Sequence, residues 1–344
     1  MTTDFALNGM DRNILVTGGA GYVGSHACKA LAAAGYLPIV FDDLRLGNRW
    51  AVRWGPLVKG ALEDREAIVA AIREYNISTV MHFAAYSNVG ESMTDPSRYF
   101  RNNVSLSLNV FDAMVETGVD RLVVSSTSAV HGIPSQIPMR EDAPSAPINT
   151  YGASKMMLEE IARWYGFAHG LRTVALRYFN AAGADPDAGI GELHDPETHL
   201  VPIAVQAALG HRPFLQINGT DYDTADGTAV RDYIHVRDIA EAHVAALNAL
   251  NNGGESGAFN LGTGRGLSVR EIVDAVNEAA GRHIRIVEGP RRQGDPPVLV
   301  ADPGQAKCRL GWEARMSDVS QIAETAVRWH RDVLPNIVLR NDWR

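Results

Sequence analysis

The sequence predicts an α/β fold: a doubly wound parallel sheet followed by a smaller C-terminal α/β part. Three observations carry that reading. Short apolar runs alternate with helical patterns over the first half of the chain. Glycines at 18, 19, 21 and 24 stand between the first run and the first helix. After Asn180 the regular texture gives way to a stretch rich in Gly, Pro, Asp and His. Strands alternating with helices imply right-handed crossovers and a sheet covered on both faces.

The elements follow in order. The run around Ile14–Val16 reads as a buried strand, and the pattern from about Val23 to Ala34 as a helix that Gly35 ends. The run around Ile39–Phe41 is the next strand, stopping at Asp42-Asp43. The stretch from Arg65 to Tyr75 reads as a helix, Thr79 to Phe83 as a strand, Val104 to Thr117 as a helix and Leu122 to Ser125 as a strand. Pro134, Pro138, Pro144 and Pro147 mark a long loop. A helix then runs from about Tyr151 to Phe167, with Leu158, Ile161, Ala162 and Tyr165 as an apolar stripe. That stripe suits either the core or a partner chain. The stretch from Thr173 to Arg177 is another strand, and Ala184–Pro202 reads as loop. A domain change is expected near residue 181, with Phe259–Leu261 as a possible return to the first sheet.

Composition narrows the function. With 344 residues, 46% hydrophobic and 21% charged, the chain reads as ordinary globular protein. A formal net charge of -8 argues against nucleic acid as a main partner. Cys28 and Cys308 are too few for a disulfide framework and form no Cys-x-x-Cys pair, which suits reduced thiols in a cytoplasmic protein. Met1 to Met10 lacks the order of a signal peptide. No apolar run approaches the ~18 residues that span a bilayer.

The glycine run, Val16 to Gly24, satisfies G-x-G-x-x-G from Gly19 and G-x-x-G-x-x-G from Gly18. Between a strand and a helix, that spacing gives a tight turn and lets backbone N–H groups approach a pyrophosphate. This is the signature of a Rossmann-like dinucleotide site. Asp42 lies 18 residues after Gly24, at the tip of the second strand. A carboxylate there accepts ribose hydroxyls and repels a 2′-phosphate, favouring NAD over NADP. Asp43 is the adjacent competitor.

Tyr151 and Lys155 form a Tyr-x-x-x-Lys pair, stacked on one helix face about 5–6 Å apart at Cβ. A phenol titrates near 10 and is a poor base at neutral pH. A nearby ammonium and a cationic nicotinamide both favour the phenolate. Lowering it to near 7 takes roughly 4 kcal/mol. Thr127 ends a predicted strand at the carboxyl edge of the sheet, where ligands bind, and its hydroxyl can complete the proton-transfer site.

With these residues in place, the chain resembles the extended short-chain dehydrogenase/reductases and, more closely, the UDP-glucose 4-epimerases. The resemblance runs from Asn13 to about His330. Its carriers are Thr17–Ser25, His82–Ala85, Val89–Ser92, Asn102–Val104, Tyr151–Lys155, Arg177–Asn180, Asp226–Thr228, Val230–Val236 and Pro290–Asp295. It implies NAD-dependent inversion at C4 of a UDP-sugar, through a transient 4-keto intermediate, by a cytoplasmic homodimer. Residues 1–180 would hold NAD, with a return near 234–262, and 181–344 would mainly hold the UDP-sugar. Gly18, Gly21, Tyr22, Val23, Gly24, Asp42, Phe83, Ala84, Ala85, Asn102, Tyr151, Lys155 and Tyr178 would contact the cofactor. Thr127, Tyr151, Asn180, His199, Leu200, Asn218, Arg231, Arg292, Asp295 and Leu299 would contact the substrate, with Tyr151, Lys155 and Thr127 catalytic. Guanidinium groups suit a diphosphate because they pair with phosphate bidentately. UDP-glucose and UDP-galactose are the expected pair, with UDP-N-acetylglucosamine or a UDP-pentose as alternatives and a non-catalytic NAD-binding regulator as a distant one.

The chain departs from the family pattern at several places. Ala61 replaces a usual aspartate near the adenine, and Ser87 stands where some relatives have lysine. His199 takes a frequent Asn position, Asn218 a frequent aromatic, and His131 a common Tyr. Leu299 lies where members differ by sugar. A 4,6-dehydratase would need Asp-Glu directly after the threonine, where Ser128-Ala129 stand. His194, Asp195, Glu197 and His199 crowd together but match no H-E-x-x-H motif, so a polar substrate loop without metal is expected.

Overall fold

The computed structural model describes residues 12–187, 189–292 and 295–339. Met1–Met10 and the Gln293-Gly294 pair of the PRRQGD run lie outside the described residues. The chain opens with β1 (Asn13–Thr17), α1 (Tyr22–Ala33), β2 (Leu37–Asp42), β3 (Leu57–Lys59), α2 (Arg65–Glu74) and β4 (Thr79–His82). Then come α3 (Val89–Thr94), α4 (Pro96–Tyr99), a π-helical turn over Phe100–Ser105, α5 (Leu106–Thr117), β5 (Arg121–Thr127), α6 (Thr150–His169) and β6 (Arg172–Tyr178). These strands lie in the order β3-β2-β1-β4-β5-β6, all parallel. A seventh, Gly257–Leu261, joins the far edge beside β6, as the sequence suggested.

The second half of the chain adds four main helices: α7 (Leu200–Ala208), α8 (Val236–Asn251), α9 (Val269–Ala280) and α10 (Val319–Arg328). Of these, α8 returns to the sheet and packs beside α1.

Alternate residues of each strand feed two cores. Ile14, Val16, Val40 and Met81 face one, under α1 and α8. Leu15, Ile39, Phe41, Val80 and Val124 face the other, under α2, α5 and α6. Ile14, Leu15 and Val16 are fully buried. At roughly 1.5–3 kcal/mol for each buried side chain, they hold β1 at the centre of the sheet. The strand order reverses between β1 and β4, and the crevice at the carboxyl ends there is where such sheets bind ligands.

The helices α7, α9 and α10 pack together around a third core containing Val205, Ile272, Val276 and Ile322. Small sheets support it. Leu215–Asn218 pairs with Ile286–Gly289, and Val230–Arg231 lies between Leu267–Ser268 and Val298–Leu299. Among the described residues no helix is long and apolar enough to cross a membrane.

One expectation changes and one open choice closes. The stretch read as loop to Pro202 is helical from Leu200, because a proline in the first turn has no intrahelical hydrogen bond to lose. The stripe Leu158, Ile161, Ala162 and Tyr165 packs into the core beneath α6 rather than facing outward. The exposed apolar side chains of α6 are Met157, Trp164 and Phe167.

Candidate active site

A cleft of about 1270 Å³ opens over the carboxyl ends of β1, β4 and β5 and runs beneath the second half of the chain. Each of the site residues predicted from the sequence lines it, Gly18 to Leu299 in chain order. Ala61 does not, although its neighbours Gly60 and Leu62 do.

The glycine turn is required by crowding. Gly18 has φ +73°, and a Cβ there would stand 2.6 Å from the Ala84 nitrogen. A Cβ on Gly24 would stand 2.3 Å from the Gly18 carbonyl oxygen. The turn therefore lies flat against both α1 and the β4 loop. Gly21 caps α1 without a side-chain hydrogen bond, and no acidic side chain sits in the first turn. The N–H groups of that turn and their partial positive charge are thus offered to an anion. These features fit a dinucleotide pyrophosphate.

At the tip of β2, Asp42 accepts from the Ala20 N–H at 3.0 Å and the Leu44 N–H at 2.8 Å. Burial raises its pKa and those N–H groups oppose the rise. Asp43 instead accepts from the Arg45 N–H at 2.7 Å and pairs with the Arg45 guanidinium at 2.9 Å, as a partly exposed turn residue does.

Tyr151 sits in the first turn of α6, whose N-cap Asn149 accepts from the Gly152 N–H at 2.8 Å. Burial pushes the phenol up to about 12, with the Thr127 hydroxyl pulling the other way. Burial brings the Lys155 ammonium down to about 8, opposed by Glu159. Its Nζ donates to the Ser125 carbonyl at 2.8 Å, so the ammonium is turned toward β5. The chain's own groups therefore hold the phenol high. Behind them the Tyr178 hydroxyl bonds Ser125 Oγ, and Glu159 bonds Ser126 Oγ and Arg177. His131 also joins Arg177, with Nε2 3.3 Å from Nη1.

The sequence reading missed the role of Asn103. Its Oδ1 accepts from the Tyr86 N–H at 2.8 Å and from Asn102 Nδ2 at 3.0 Å. Its Nδ2 donates to the Tyr86 carbonyl at 2.9 Å and to Ser154 Oγ at 3.1 Å. One buried amide thus ties the loop after β4 to the middle of the Tyr151–Lys155 turn. The π-helical geometry places Asn102 in the cleft and Asn103 beneath it.

Across the cleft, Arg231 pairs with Asp295, and its Nη1 also donates to the Val230 carbonyl at 2.7 Å. With its amide oxygen facing the guanidinium, Asn218 accepts from Arg292 Nε and Nη2 at 3.2 Å each. Among the described residues Arg292 has no carboxylate partner, so its charge is the less committed of the two. Asp232, in the same VRDYIHV run, turns inward and accepts from the N–H groups of Thr263 at 2.9 Å and Gly264 at 3.1 Å. That run therefore serves fold and cleft together. Leu299 is half-buried and sits beside Arg231 in register. Phe214 and Arg212 also line the cleft and were not singled out from the sequence. His199 caps α7, and the loop before it gathers Glu192, His194, Glu197 and His199, with Asp195 outside the group.

Comparison with known proteins agrees with this arrangement. The model of the NAD dependent epimerase/dehydratase family matches residues 14–262. A UDP-glucose 4-epimerase of Rhizobium meliloti is 49% identical over 320 residues, covering 93% of this chain and 97% of that protein. The crystal structure of UDP-glucose 4-epimerase from Brucella ovis in complex with NAD is 47% identical and superposes with a TM-score of 0.90, over 92% of this chain and 97% of that one. The epimerase from Bifidobacterium longum in complex with NAD+ and UDP is 35% identical with a TM-score of 0.87, over 92% and 98%. The chain belongs to the NAD dependent epimerase/dehydratase family and groups there with the UDP-glucose 4-epimerases.

Proposed function

We propose that the protein inverts C4 of a UDP-linked hexose, interconverting UDP-glucose and UDP-galactose, with NAD retained in the cleft. The observation that carries this reading is the shared cleft. A pyrophosphate cradle, a buried Tyr-Lys pair and an arginine that, among the described residues, pairs with a neutral amide and no carboxylate all open into it. The relatives bound to NAD, and to NAD+ with UDP, support it. NAD, when bound, supplies the hydride acceptor and a nearby positive charge.

The chain's residues then have distinct tasks. Asp42 receives the adenosine ribose, and Gly18 to Gly24 the pyrophosphate. Tyr151 takes the proton of the sugar 4-hydroxyl, with Thr127 sharing its hydrogen bond. Lys155 favours the phenolate as it turns from Ser125. Arg292 and Arg231 anchor the diphosphate while the 4-keto sugar turns over, and Phe214, on the same cleft wall, offers a flat face to the uracil. Elimination chemistry lacks its acid and base, because Ser128 and Ala129 follow Thr127 in a short 3₁₀ turn.

The division of labour follows the fold, with residues 1–180 and the strand return serving NAD and the remainder mainly the UDP-sugar. A cytoplasmic homodimer is the form we propose, joined through the exposed Met157, Trp164 and Phe167 of α6. Trp164→Lys with Phe167→Lys should then sediment as a monomer, and an unchanged mass would exclude this face.

The test of the function itself is turnover of purified protein with UDP-galactose and no added cofactor, together with the nucleotide released on denaturation. Conversion with stoichiometric NAD is expected. Stoichiometric NADP, or no conversion even with NAD supplied, overturns the reading.

A further inference from the structure

The loop before α7, at the wall of the cleft, gathers four groups that this chemistry does not use together. Glu192, His194, Glu197 and His199 each place one ligand atom within 4.8 Å of the others. His199 Nδ1 lies 2.6 Å from Glu192 Oε1 and 3.4 Å from Glu197 Oε1. His194 Nδ1 lies 3.1 Å from Glu192 Oε1 and 3.7 Å from Glu197 Oε2. With metal–ligand bonds of about 2.0–2.1 Å, neighbouring donors of a tetrahedral site stand roughly 3.3 Å apart. The four separations straddle that value.

The competing account is an ion-pair cluster of two imidazolium ions with two carboxylates, which is equally balanced in charge; the geometry at His194 is what it does not explain. His194 Nδ1 is buried and has no hydrogen-bond partner, although two carboxylate oxygens lie within 3.7 Å. The atoms converge without being aligned on each other, which is how donors stand around a shared cation. Both carboxylate side chains are nearly sealed, at 5% and 4% exposure. Two buried carboxylates cost several kcal/mol each unless a counter-charge is built in. Two neutral imidazoles and two carboxylates balance a divalent ion.

The supports of the cluster are also in place. Glu197 Oε1 accepts from the N–H groups of Thr198 at 2.7 Å and His199 at 2.9 Å, which fixes the carboxylate from outside. The Trp329 indole donates to the Glu192 carbonyl at 2.8 Å.

We infer that Glu192, His194, Glu197 and His199 form a binding site for a divalent cation of the zinc class, structural in role. Nitrogen and oxygen donors select that class over calcium or magnesium. Four protein donors fill a tetrahedral shell, which marks a structural site. The ion would fasten the loop between two parts of the cleft. Tyr22, in the first turn of α1, packs edge-on to His194 at 6.4 Å, and His199 is the N-cap of α7. Ligation through Nδ1 leaves the proton on His199 Nε2, a fixed donor on a residue that lines the cleft. The expectation of no metal rested on helical zinc motifs. Here the pattern is E-x-H twice, Glu192-x-His194 and Glu197-x-His199, and in extended chain residues two apart share a side.

The test uses tag-free protein with its cofactor. Elemental analysis after dialysis against metal-free buffer should find about one zinc per chain. Protein stripped by a chelator should regain a higher melting temperature when zinc is added. Cobalt(II) added to stripped protein should give the intense visible absorption of a four-coordinate site. His194→Ala and Glu197→Gln should weaken zinc binding at least tenfold while keeping bound nucleotide. Should either variant fail to fold, the cobalt spectrum of the unmutated chain decides. If stripped protein takes up no zinc and cobalt shows only the aqueous ion, the four groups are an ion-pair cluster and the inference is wrong.

Discussion

On the sheet side of the cleft, Tyr151 and Lys155 lie one turn apart on α6, fully or nearly buried, with Lys155 bonded to the β5 backbone. On the opposite side, Arg231, Arg292 and Asp295 come from a two-residue strand and a loop, and are held by one another and by Asn218. The first group is fixed by elements with two hydrophobic cores beneath them. The second is fixed by a few polar contacts between short segments. Groups on helices and strands hold their geometry more tightly than groups on loops. In the proposed reaction, hydride and proton transfer, which demand a set distance, fall to the rigid side. Anchoring a diphosphate demands charge more than placement, and in the same proposal it falls to the side that can adjust.

The largest test of that contrast is Tyr151→Phe. Removing only the hydroxyl should lower turnover by roughly 10²-fold or more, the scale of a lost acid/base, while the bound nucleotide measured after denaturation stays the same. Near-full turnover would show that the rigid side does not carry the proton.

Next is the cost of keeping Lys155 buried. Its folded pKa, about 8, lies below the unfolded value. Below pH 8 the folded protein must hold a buried ammonium, so the group opposes folding there. That opposition fades as pH rises from about 8 to the unfolded lysine value near 10.4. Lys155→Met should therefore stabilise the protein by up to about 3 kcal/mol at pH 7, since lowering a pKa by one costs about 1.36 kcal/mol, and by little above pH 10. Its activity should fall. Urea titrations of both proteins at pH 7 and pH 10 make the comparison, and an equal gain at the two pH values contradicts it.

On the adjustable side, Arg292→Ala removes a charge-assisted contact of roughly 1.5–3 kcal/mol. KM for the UDP-sugar should rise about tenfold or more with kcat little changed. A fall in kcat at constant KM would place Arg292 with the reacting groups instead.

The smallest effect concerns sugar choice. Leu299 is smaller than tyrosine and half-buried at the cleft wall, so it should leave room for a 2-acetamido group as the proposed 4-keto sugar turns. UDP-N-acetylglucosamine should be turned over more slowly than UDP-glucose but measurably. Leu299→Tyr should lower that ratio of kcat/KM by about 1–3 kcal/mol, the usual scale for one pocket contact. An unchanged ratio would remove Leu299 from the pocket's gate.

The sequence made the rigid side readable because each strand there is a short apolar run bounded by glycine, aspartate or serine, and its motifs sit at strand ends. The edge strand β3 escaped, having only Leu57 and Val58 as signal after Pro56. α7 escaped at its start because Pro202 reads as a breaker when it is only a first-turn residue. The start of α9 carried a signal that went unused, the capping box of Ser268 and Glu271. In the cleft, the named residues all arrive, yet Asn103 and Glu192 did not stand out. Asn103 acts through a partner distant in sequence, Ser154, while Glu192 meets His194 and His199 only because its loop folds back on itself. No local pattern announces the contact of Asn103, and the paired E-x-H spacing around Glu192 went unused.

The amide of Asn103 also governs how the protein tolerates change. Two acceptor bonds and two donor bonds saturate it. Aspartate keeps the shape but loses both donors, leucine loses all four bonds, and glutamine carries one methylene too many for a site that is 1% exposed. Every replacement leaves buried backbone groups of Tyr86 unsatisfied or displaces them. In an exhaustive survey of single variants, this position should be as intolerant as Tyr151 itself, though by its place beneath the cleft it would meet neither substrate nor cofactor.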